Sequence, residues 1–255
     1  MKRFLTLFVM DARMVLRSRQ AIGWTVAFPV LMMLFWGYIG RGAMVQATFG
    51  SVTTISFAGF FMGGMIVLTT LSQGIQGYAP VMVSLREQGI LRRVRCTPLP
   101  TWMFLVSRLL VEVVSTLIGC LAIIIVAMAL FGVRLSWRTV PAALGLMLLS
   151  IALFTSFGQL IAALARKQET ARAMAQVLAF PLMFVGGLFL QPDLFPKPLA
   201  TVAQWTPAAV VGDLLRPALI QGNFGTRPAL NLLVLVGYLV AALAISTRFF
   251  KWDEV

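Results

Sequence analysis

Apolar stretches recur along the chain at residues 21–39, 53–71, 109–131, 140–164, 174–190 and 230–247, separated by short polar or basic connections. A bilayer core about 30 Å thick is crossed by about 20 helical residues, so each stretch can cross once tilt is allowed. The pattern predicts an all-α membrane protein forming a single transmembrane domain over 1–255. Its parts are an interfacial segment at 1–20, a bundle of six transmembrane helices over 21–247, and a cytoplasmic tail at 248–255. In the first segment Phe4, Phe8, Ala12, Val15 and Leu16 share a helical face, with Leu7 beside them, while Lys2, Asp11 and Arg13 fall elsewhere. That is the pattern of an amphipathic helix lying in the interface. Arg13, Arg17 and Arg19 interrupt the apolar core that a cleavable signal peptide needs. Within the bundle, Gly63–Gly64 and Gly186–Gly187 permit close helix contact. Neighbouring helices can satisfy the carbonyls freed by Pro29 and Pro181.

Two connections are more than simple turns. The stretch LREQGILRRVRCTPLP at 85–100 predicts a short basic helix between the second and third transmembrane helices. Pro98 and Pro100 stop it, and Thr101 can cap the helix that follows. Between the fifth and sixth transmembrane helices, residues 191–227 hold five prolines and apolar runs too short to cross. Short interfacial or re-entrant helices are expected there.

Composition agrees with this pattern: 60% of residues are hydrophobic and 11% charged, with a mean hydropathy of +0.92. Soluble domains carry about 25% charged residues, and little chain remains here for one. The 21 Lys+Arg against 8 Asp+Glu give a net charge of +13. The basic residues sit mainly in the short connections, where they set topology and meet anionic membrane lipid, so no nucleic-acid partner is required. Fourteen Lys and Arg fall on the side of the termini and six on the other, with Arg108 left out near a helix start. Both termini are therefore expected in the cytoplasm.

Candidate chemistry is sparse. The chain has no histidine, which excludes Ser–His and Cys–His pairs and His-ligated metal. No GxxxxGK[ST] phosphate loop is present. Cys96 and Cys120 have no metal or redox spacing. No metal site, no cofactor bound by this chain and no enzyme activity of its own are expected. Arg108 and Glu112 stand one helical turn apart, either as a structural ion pair or as a gate or substrate contact. Phe57, Phe60 and Phe61 on the second transmembrane helix, and Phe180, Phe184 and Phe189 on the fifth, either pack ordinarily or line a path for an amphiphile.

The 85–100 segment, with Arg–Glu, a glycine, a Leu–Arg–Arg turn and then Thr–Pro, resembles the membrane subunit of type-2 ABC exporters. GGLFLQPDLFPKPLATVAQWTPAAVVGDLLRPAL at 186–219 is similar to that family's entry to the outer loop. The chain departs from it in having Gly186–Gly187 and Leu190–Gln191–Pro192 where Ser–Gly and Phe–Pro are more usual. The resemblance implies a multi-pass permease of the cell (inner or cytoplasmic) membrane, forming a homodimer that works with two copies of a separate ABC ATPase subunit holding ATP and Mg. It also implies that 85–100 is a coupling helix, with Arg86, Glu87, Gly89, Leu91, Arg92, Arg93 and Arg95 at the ATPase. The basic cluster read alone is equally a topology anchor. The substrate implied is an amphiphilic drug, antibiotic or lipid-like molecule. GDLLRP at 212–217 also resembles lipo-oligosaccharide and polysaccharide exporters, and a scaffold without a transport cycle is the alternative from another class.

Overall fold

The computed structural model describes residues 23–48, 52–90, 101–187 and 196–249. The amphipathic segment at 1–20, the end of the tail and the part of the basic connection from Leu91 to Pro100 lie outside the described residues.

A π-helical turn, Gly23–Ala27, leads into α1 (Phe28–Ile39). The chain then forms an antiparallel hairpin of β1 (Met44–Thr48) and β2 (Val52–Ser56), with Met44 opposite Ser56 and Thr48 opposite Val52. The expected second transmembrane helix began at residue 53, so its first residues are strand instead. Ser56 marks the change: its backbone is extended and its hydroxyl accepts the Gly59 N–H at 3.2 Å, an N-cap that starts the helix at Phe57.

From Phe57 the helix does not stop at Leu71. It runs as α2 (Phe57–Leu71), a π-helical turn (Ser72–Gly77) and α3 (Tyr78–Glu87), 31 residues in all. The polar stretch SQGIQG follows the expected crossing directly, and its Gln73 finds a partner on a neighbouring element. Gln73 Nε2 donates to Thr25 Oγ1 at 2.5 Å, joining the two π-helical turns. The remaining helices are α4 (Thr101–Phe131), α5 (Val140–Leu164), α6 (Gln168–Val185), α7 (Lys197–Ala203), α8 (Pro207–Ile220) and α9 (Pro228–Phe249). Relative to the apolar pattern, α4 starts earlier than residue 109, and α6 starts at Gln168 and ends before residue 190. Among the described residues four helices are long and apolar enough to cross a membrane: Phe57–Glu87, Val106–Phe131, Val140–Leu164 and Pro228–Ser246.

The Phe57–Glu87 helix is the centre of the bundle. Its most apolar window is 89% buried, against 17% for that of Pro228–Ser246, which therefore lies at the periphery. Helices α1, α4, α5 and α8 pack on α2, while α5 and α6 pack on α3. The tightest approach is to α5. A Cβ at Gly158 would collide with the Gly74 carbonyl oxygen, and one at Gly74 would sit 2.6 Å from the Thr155 nitrogen. Small residues let helix backbones meet where lipid supplies no hydrophobic drive for association. Gly158→Ala should therefore destabilise the protein by about 1–3 kcal/mol. Thermal unfolding in detergent would show a lower melting temperature than for Gly145→Ala, where an added methyl meets open space. Equal melting temperatures for the two variants would contradict the crossing.

Candidate functional site

At one end of the central helix, Gln88 caps α3 and Gly89 turns the chain with φ +66°, a left-handed conformation that suits glycine. The Gly89 N–H reaches the Arg86 carbonyl at 3.0 Å, closing the helix. Glu87 is exposed, whereas Arg86 folds back against the bundle. Its Nη1 donates to the Ala162 carbonyl at 3.3 Å and its Nη2 to the Ala165 carbonyl, both at the end of α5. Leu91, Arg92, Arg93 and Arg95 lie outside the described residues.

Further into the bundle, Arg108 and Glu112 occupy α4, with Glu112 about 16 Å along the helix from Thr101. No hydrogen bond joins their side chains. Glu112 Oε1 is instead buried without a partner and faces the π-helical turn, 3.7 Å from where a Gly77 Cβ would stand. A carboxyl oxygen left in that position marks a place where protonation or a further donor changes the local energetics.

The other end of the central helix holds Arg216, one of the six basic residues on the side opposite the termini. Arg216 of α8 is only 3% exposed. Its Nη2 donates to the Gly187 carbonyl at 2.7 Å, and its guanidinium carbon lies 4.3 Å from the centre of the Phe60 ring. The arginine stem occupies the space over Gly63, where a Cβ would collide with its Cγ. Burial disfavours the charged form of both Arg216 and Asp213, and each offsets that cost for the other. The available signal was GDLLRP: Asp213 and Arg216 fall three residues apart on one helical face.

Helix α8 is itself held at both ends. Thr206 Oγ1 accepts the Ala209 N–H at 3.4 Å at its start. At its finish, the Ser136 N–H donates to the Leu219 carbonyl at 2.8 Å and Thr139 Oγ1 donates to the Ala218 carbonyl.

The aromatic candidates divide between two settings. Phe60 and Phe61 are buried, and the Phe57 and Phe61 rings stack at 5.8 Å. Phe180 and Phe184 lie on an exposed face of α6. Phe189 lies outside the described residues. A cavity of about 320 Å³ opens beside Phe57, lined also by Gly37, Gly40, Arg41, Ser56 and Phe131.

A bundle of apolar helices around one buried central helix, with ionic groups held inside it, is the build of a membrane-embedded domain. Residues 2–220 match the ABC-2 type transporter family, and the chain belongs to it. It is also 26% identical over 250 residues, 96% of each chain, to the Bacillus subtilis (strain 168) protein named "Putative transport permease YvfS". Permeases of this family work with an ATPase subunit.

The Arg216 contacts make a stability prediction. Arg216→Ala removes the packed stem and leaves the Gly187 carbonyl without its donor, at an expected cost of about 2–4 kcal/mol. Denaturant unfolding in detergent measures it, with Arg227→Ala, at an exposed position, expected to stay within about 0.5 kcal/mol of the parent.

Proposed function

We propose that this chain is the permease of an ATP-driven exporter, working as a homodimer with two ATPase subunits and moving an amphiphilic drug, antibiotic or lipid-like molecule out of the cytoplasm or inner leaflet. It crosses the membrane six times, with both termini cytoplasmic. The crossings beyond the four long helices are α1 with its π-helical turn, and α6. Helices of 17–18 residues reach about 25–27 Å, which modest bilayer thinning accommodates. Helices α7 and α8 are too short to cross and sit on the outer side, α8 as a re-entrant element.

The observation that carries this reading is the continuity of the Phe57–Glu87 helix. It passes unbroken through the bundle and ends at the exposed Glu87, where the basic connection starts. A rigid element with a charged end can convert ATPase motion into movement of the bundle. An amphiphilic substrate is supported by the cavity beside Phe57, whose lining combines aromatic rings with Arg41.

The test uses the permease and its ATPase purified together in lipid. Glu87→Ala removes a charged anchor, and Gly89→Pro demands a negative φ where the chain has +66°. Losing a buried charge partner costs about 2 kcal/mol or more, roughly thirtyfold in affinity. Both variants should insert normally, yet lose ATPase subunit on purification and show reduced substrate-stimulated turnover. Arg41→Ala should retain the ATPase. Full retention and normal turnover in both coupling variants would sink the docking reading.

A further inference from the structure

We infer that Arg86 is a strut inside the permease: from the last turn of the central helix it grips the end of α5, so that a displacement delivered at the basic connection moves both helices together. The inference rests on the reading of 85–100 as the ATPase-docking segment, and assigns Arg86 a positioning role there.

The last carbonyls of an α-helix have no partner within the helix. Helix α5 ends at Leu164, and Ala165 leaves it in an extended conformation, with its N–H bonded to the Ile161 carbonyl at 2.8 Å. No glycine turn folds back to cover the remaining carbonyls. Arg86 does so from another helix, reaching the Ala162 and Ala165 carbonyls across 76 and 79 residues of sequence. A planar guanidinium can serve two acceptors at once, and its charge is favoured at the negative end of a helix dipole. Its Nε is buried without a partner, so the side chain has left water to make these contacts.

The neighbouring residue sharpens the assignment. Glu87 is exposed while Arg86 is turned into the bundle, so adjacent charges face different tasks: one is available to a partner and the other binds the fold. Beyond Ala165 the chain enters α6, which also packs on α3. The strut therefore stands where α3, α5 and α6 converge.

Hydrogen–deuterium exchange of the permease–ATPase complex in lipid nanodiscs tests this, comparing the nucleotide-free complex with one trapped by ATP and vanadate. In the wild-type protein, peptides covering 84–90 and 161–167 should change exchange together on trapping. In Arg86→Ala, exchange at 161–167 should rise about tenfold and lose its response to nucleotide, while 84–90 still responds. Arg86→Lys, which keeps the charge but not the fork, should restore part of that protection. An Arg86→Ala complex whose 161–167 peptide is protected and responds as in the wild type overturns the strut. If Arg86→Ala does not accumulate, Arg86→Lys decides: wild-type protection and response at 161–167 count against the inference. A wild-type permease that fails to retain its ATPase overturns the docking reading instead, and exchange at 161–167 in the isolated permease variants still judges the grip.

Discussion

The bundle depends on one backbone contact, the approach of Gly74 in the central helix to Gly158 in α5. Lipid offers apolar surface everywhere, so burying leucines does not by itself select one helix arrangement. Close backbone approach does, because it is available only where both helices lack a side chain. This contact falls in the π-helical turn of the Phe57–Glu87 helix, and that turn also presents Gln73 to Thr25. A local irregularity thus satisfies a polar side chain and admits a neighbouring helix at the same level. Single π-helical turns inside α-helices are frequently sites of function.

Two arginines extend the same logic to the two ends of the central helix. Arg86 leaves that helix to cap α5, and Arg216 enters from α8 to cover Gly63 and Phe60. Each supplies a guanidinium donor to backbone carbonyls that have lost water. Such donors are costly to desolvate, and they persist where the geometry gives something back. Here the return is connection: the central helix is joined to α5 at one end and to α8 at the other. The ends of α8 are in turn tied by Thr206 and by the connection between α4 and α5.

Much of this architecture was legible in the apolar pattern. The α5 boundaries coincide with the expected 140–164, because proline begins that helix and a polar, basic connection follows it. The central helix was misjudged because glycine and glutamine at 72–77 read as an ending. Only the surrounding helices reveal that Gln73 is paired with Thr25 and that Gly74 admits α5. The hairpin was missed for a related reason, since β-branched residues at 52–55 fit an apolar stretch as well as a strand. Arg86 and Arg216 were assigned from charge and position in the chain. Counting charges sets topology well, but it cannot show that a long side chain has turned inward to a helix end.

The proposed function gives the Phe57–Glu87 helix a direction, from an outer end near Arg216 and α8 to a cytoplasmic end at Glu87. Impermeant maleimide labelling of single cysteines in intact cells tests this most directly. Cys96 and Cys120 are first replaced, and cysteine is placed at the exposed Gln88 or the exposed Asn223. The account predicts that position 223 reacts in intact cells and position 88 reacts only after permeabilisation. Reaction at position 88 in intact cells, with position 223 protected, would contradict it.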